Sequence, residues 1–132
     1  MVTIILGVFL ILHGLVHLLY AGQSERLFEL RPGMSWPDGS WAFSTLLSDK
    51  TSRRMASIAL VLAALGFLVS GLGLFLQQAW WHPAVACSAT FSSLIFILLW
   101  DGKVQAMNDK GGIGLLINLA LLVFTQFLKW PA

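Results

Sequence analysis

The sequence predicts an all-α polytopic membrane protein, a four-transmembrane-helix bundle with a long amphipathic first loop. Three observations predict it. Of its 132 residues, 58% are hydrophobic and only 11% charged, whereas a soluble domain carries about 25% charged residues. Folding the chain on itself cannot hide that much apolar surface. Several runs reach the roughly 20 apolar residues that cross a bilayer. Lys and Arg also fall almost entirely on one side of those runs, seven against one, the asymmetry of the positive-inside rule.

The whole chain, 1–132, reads as one transmembrane domain. The first span covers about 2–22. A cleaved signal peptide is the competing reading, but no basic residues precede the apolar run and "LLYAG" is a poor cleavage site. The second span, about 54–77, follows "SDKTS", which offers several N-caps. The third, about 83–100, begins at Pro83, a residue suited to a first helical turn. The fourth, about 112–130, has Asp109 as its expected cap.

Arg26, Arg31, Lys50, Arg53 and Arg54 lie in the first loop and Lys103 and Lys110 in the third, leaving Lys129 alone on the opposite side. Both termini are therefore expected to be extracytoplasmic. Trp80, Trp81 and Trp130 would mark the outer interface and Trp100 the inner one. This placement accounts for the basic balance, a net charge of only +2, so the expected surroundings are a lipid bilayer and not nucleic acid. Cys87 is the sole cysteine, which excludes an intrachain disulfide; it reads as a small buried apolar residue.

The first loop, about 23–53, is too long to be structureless. Ser24 could cap a short helix through "ERLFEL", stopped by Pro32 and Gly33, and Asp38 or Ser40 could cap a second through "DGSWAFSTLL". Both mix charge with Leu, Phe or Trp and are expected to lie in the membrane interface; a lid over the inner mouth of the bundle is the other arrangement.

Helical phase assigns the faces. The first span aligns Thr3, Gly7, Leu10 and Gly14, with His13, His17 and Tyr20 beside them. The second aligns Ala59, Ala63, Gly66, Ser70 and Gly73, the third Ala86, Thr90, Ser93, Ile97 and Asp101, and the fourth Gly111, Gly114, Asn118 and Thr125. Small residues let helices approach in lipid, and polar groups facing lipid are costly, so these stripes should face inward. At about 1.5 Å of rise per residue, His13, His17 and Asn118 fall at one depth, with Asp101 just below.

His13 and His17, four residues apart, share one helix face. Two histidines can hold a metal, but Asp101 is the only third ligand available at that depth, and the chain supplies no axial partner for a haem. No metal is assigned, and no cofactor can be named. Two readings stay open. The pair ties helices together through Asn118, Asp101 or backbone carbonyls, or it forms a proton or polar-ligand site, with imidazoles that donate to or accept from a group such as a quinone carbonyl.

"ILHGLVHLLYAG", followed by a long amphipathic loop and three further spans, resembles the DoxX-like small four-helix integral membrane proteins. The resemblance covers the architecture of most of the chain. It implies a bacterial inner (plasma) membrane and an accessory role in quinone-linked redox chemistry; without a cysteine pair, thiol–disulfide exchange is not implied. The expected function is binding of a small apolar or quinone-like ligand by His13 and His17, with Asn118 and Asp101 as neighbours. The alternatives are a small oligomeric transporter or channel, and a non-catalytic subunit of a larger membrane complex.

Overall fold

A computed structural model describes residues 1–103 and 111–129. The expected Asp109 cap, Lys110 and the Trp130 belt position lie outside these residues. The chain is all-helical over the described residues: α1 (Val2–Ser24), α2 (Asp49–Phe75), α3 (Trp81–Leu98) and α4 (Gly112–Leu122), the last continued by a π-helical segment, Val123–Phe127. Three of them, α1, α2 and α3, are long and apolar enough to cross a membrane, which suggests a membrane protein. α4 and its π segment form a shorter apolar helix.

Local signals explain the boundaries. Ser48 caps α2 by accepting a hydrogen bond from the Thr51 N–H at 3.2 Å, so the helix starts ahead of its apolar run. Pro83 sits in the first turn of α3, where its missing N–H costs no hydrogen bond.

α1 packs on α2, α2 on α3, and α3 on α4 and the π segment. Two apolar clusters result. One joins Leu10, Phe67, Trp81, Val85 and Leu121. The other, at the end nearer the first loop, joins Ala21, Trp36, Ala56, Leu60, Phe96 and Leu99. The outward faces are equally apolar: Ile4, Leu12, Leu62, Leu65, Leu116 and Leu119 are all more than half exposed. Exposed apolar surface on this scale needs a cover other than water.

The expected inward face of α3 is wrong. Thr90 and Ile97 are exposed, whereas Val85, Ser88, Ala89, Ser92 and Phe96 are buried. The expectation extended the stripe to Asp101, beyond the end of the helix, and that choice turned the phase by about one residue, 100°. Cys87 is exposed as well, on the side opposite the core.

The first loop forms no α-helix. Its segment 25–48 is a series of turns folded over the ends of the helices. Ser24 and Asp38 are engaged elsewhere, and Ser40 caps only a turn, accepting the Phe43 N–H at 3.3 Å. Ser24, the last residue of α1, donates to the Arg53 carbonyl at 2.6 Å, and Ser40 donates to the Leu98 carbonyl at 2.5 Å. Asp38 pairs with both Arg26 and Arg53. Arg26 itself has φ 61°, a conformation costly for a side chain with Cβ. Its guanidinium donates to the carbonyls of Gln23, Ser35 and Trp36, which offsets that cost.

Trp36 is 4% exposed and packs on Tyr20 and Phe96, with ring centroids 5.3 and 5.5 Å away. The loop therefore covers the helix ends as a lid, although Leu27, Trp41 and Leu46 keep their apolar side chains exposed. Burial raises the Asp38 carboxyl, but the Arg53 hydrogen bonds and the charges of Arg26 and Arg53 outweigh it and hold the group below its ordinary value of 3.8.

Candidate functional site

The two apolar clusters are separated by a polar layer. His13 and His17 lie on the α2-facing side of α1, both buried. Gly14, between them in sequence, lets α2 approach the layer closely. A Cβ there would lie 3.1 Å from both the Ala64 carbonyl oxygen and the Phe67 Cβ, tighter than an ordinary contact, so a larger residue would push α2 back by a few tenths of an ångström. Phe67, fully buried, then sets its ring 4.7 Å from the His13 ring and 5.1 Å from the His17 ring, centroid to centroid.

Four side chains form a closed hydrogen-bond set. His17 Nδ1 is 2.8 Å from the His13 carbonyl oxygen and its Nε2 is 2.6 Å from Ser92 Oγ. Asn118 Nδ2 is 3.0 Å from the same Oγ, and Asn118 Oδ1 is 2.9 Å from His13 Nε2. For neutral imidazoles the proton positions follow from the two groups that can only accept, the His13 carbonyl and the Asn118 amide oxygen. His17 Nδ1 donates to the His13 carbonyl, so His17 Nε2 accepts. Ser92 donates to Nε2 and accepts from the Asn118 amide. The Asn118 oxygen accepts from His13 Nε2–H. One ring nitrogen remains, His13 Nδ1, a bare acceptor with no hydrogen-bond partner among the described residues.

A cleft of about 310 Å³ adjoins this layer. His13, His17, Tyr20, Met34, Phe96 and Ile117 line it, with Arg31 at its polar edge. Its size falls near the lower end of the range for small-molecule sites, roughly 300–1,000 Å³, and its mostly apolar wall with a few polar groups suits such a ligand.

The structure brings His13, His17 and Asn118 together, and it leaves Asp101 out. Asp101 lies past the end of α3, where its carboxylate accepts the Lys103 N–H at 2.9 Å. It follows Ser92 by nine positions, about two and a half helical turns. Among the described residues no group of three His, Cys, Asp or Glu side chains is arranged to hold a metal. Ser92 is the member that sequence reasoning missed. Its signal was the burial phase of α3, in which Val85, Ser88, Ala89, Ser92 and Phe96 recur at intervals of three and four. Comparison with protein-family models, with curated proteins and with solved structures finds no match to the chain.

Proposed function

We propose that the protein is a four-span bundle of the bacterial inner membrane, built like the DoxX-like proteins, that binds a small apolar or quinone-like ligand as an accessory to membrane redox chemistry. The observation that carries this reading is the cleft beside the histidine pair, with His13 in its wall and one ring nitrogen of that residue unpaired. Both ring N–H groups are spent inside the hydrogen-bond set, so what the histidine pair itself can offer a ligand is an acceptor, His13 Nδ1. A head that carries a hydroxyl, such as the reduced quinol, suits that acceptor better than a carbonyl does.

The fourth span is α4 with its π segment, Gly112–Phe127. Its Asn118 and Thr125 are buried, while Leu116, Leu119 and Phe127 face outward. Sixteen residues at 1.5 Å each give about 24 Å, a length that local bilayer thinning accommodates. Four spans return the chain to its starting side, and the Lys and Arg distribution supports an orientation with both termini outside the cytoplasm.

The test is mass spectrometry and an absorption spectrum of protein purified in mild detergent. The expected result is a co-purifying apolar ligand, lost from His13→Phe while the variant keeps its helical circular dichroism. Protein that carries no ligand and takes up neither quinol nor quinone would overturn the reading.

A further inference from the structure

A larger cleft, about 820 Å³, lies between the first loop, α2 and α3, away from the histidine layer. Its rim is basic, with Arg26, Lys50, Arg53 and Arg54, and one carboxylate, Glu25. Its floor is apolar. Met55, Ile58 and Leu62 follow one another down a single stripe of α2, and Phe91 of α3 faces them. Ile58, Leu62 and Phe91 are 57%, 54% and 40% exposed. Charged head and apolar track are thus continuous over about seven residues, roughly 10 Å of helix.

The rim's charge is only partly compensated. Asp38 pairs with two of the four cations, Arg26 and Arg53. Glu25 holds Arg54 at 3.1 Å, and Asp49 acts on Arg53 from the first turn of α2. Lys50 has no carboxylate partner among the described residues. Four cations against three carboxylates leave one positive charge, the complement of one phosphodiester. A soluble anion would satisfy the rim and leave the floor uncovered; an acyl chain covers it. Basic pockets beside spanning helices on the cytoplasmic side are where anionic headgroups bind, and the positive-inside bias puts this rim on that side.

We propose that this cleft binds one anionic phospholipid, its phosphate held by Lys50 and Arg54 and its acyl chain lying along Met55, Ile58 and Leu62 against Phe91. The proposal rests on the membrane reading given above. The zwitterionic phosphatidylethanolamine fits less well, because its ammonium adds a positive charge to a rim that already has a surplus.

Native mass spectrometry of the full chain, released from nanodiscs of phosphatidylcholine doped with equal amounts of phosphatidylglycerol and phosphatidylethanolamine, tests it. The expected result is one retained phosphatidylglycerol per chain, in preference to phosphatidylcholine or phosphatidylethanolamine. Lys50→Gln combined with Arg54→Gln should reduce that retention roughly tenfold or more, the scale of two cations near a lipid surface. Lys129→Gln, remote from the cleft, should leave it unchanged. Glycerol phosphate at matched concentration should neither bind nor raise the melting temperature. Equal retention of all three lipids, an unaffected double variant, or equal binding of glycerol phosphate would each overturn the proposal. Resistance to carbonate extraction separates the two readings. A chain that inserts without lipid preference sinks only this inference, and one that fails to insert sinks the membrane reading as well.

Discussion

Asn118 and His13 stand 105 positions apart and are joined by a 2.9 Å hydrogen bond at the centre of the packed helices. Asn118 is fully buried and His13 is 6% exposed, so removing either leaves the other's polar atom stranded. Asn118→Leu should cost about 1–3 kcal/mol in detergent melting, the penalty of unpaired buried groups. His13→Phe combined with Asn118→Leu should cost less than the sum of the two single changes. Strict additivity would show that the pair is not coupled.

Ser92 and Ser93 are adjacent but serve different parts of the structure. Ser92 Oγ bonds across to α1 and α4, whereas Ser93 Oγ donates to the Ala89 carbonyl of its own helix. Ser92→Ala should destabilise by roughly 1–3 kcal/mol, and Ser93→Ala should stay within about 0.5 kcal/mol. The reverse order in thermal melts would assign α3 the opposite phase.

Gly66 marks a close crossing of α2 and α3. A Cβ at this position would collide with Ser88 Oγ and lie 3.2 Å from the Ser88 Cβ. Gly66→Leu should destabilise by roughly 1–3 kcal/mol, as at other overpacked sites. Leu65→Ile, on the exposed neighbouring face, serves as the control. Equal melting of the two variants would remove the crossing from the account.

The loop should open in acid. The Asp38 carboxyl titrates below its ordinary value of 3.8 in the folded state, because Arg53 and Arg26 outweigh its burial. Its stabilising contribution is complete above the ordinary value and is lost as the pH falls through the lower folded value. Tryptophan fluorescence followed from about pH 5 to about pH 2 should report release of Trp36 in that lower range. In Asp38→Asn this transition should disappear; a variant that keeps it would place the transition in another carboxyl.

Topology has a direct test. With four spans, reporters fused after Ala132 and within the first loop should report opposite sides, the loop cytoplasmic and the C-terminal fusion outside. A cytoplasmic signal from the C-terminal fusion is the result to expect if α4 does not cross.

Much of this was legible in the sequence, and the failures have physical causes. Long apolar runs cannot be reinterpreted, so α1, α2 and α3 follow from composition alone. Depth, counted by helical rise, matched Asn118 to His13 because both sit inside unbroken helices. The same counting failed for Asp101, because α3 ends at Leu98 and the chain turns away. Ser92 was lost to phase, since two adjacent serines point 100° apart and only the neighbouring apolar residues decide between them. The loop was misread because Ser24, Asp38 and Ser40 suit helix N-termini equally well as they suit distant carbonyls and guanidinia. That choice depends on partners 12 to 58 positions away.

The hydrogen-bond set at the centre has one further property. It runs in a single direction, from His13 Nε2 through Asn118, Ser92 and His17, and finishes on the His13 carbonyl. A carbonyl has no proton to hand on, and an amide nitrogen does not release one at neutral pH. The set is therefore a dead end for Grotthuss hopping, and a proton entering at His13 Nδ1 has no exit along it. Four aligned dipoles that cannot be reversed one at a time make a fixed electrostatic orientation, an anchor and not a wire. A proton-conducting version of this fold would need the chain cut at Asn118 and refilled with water.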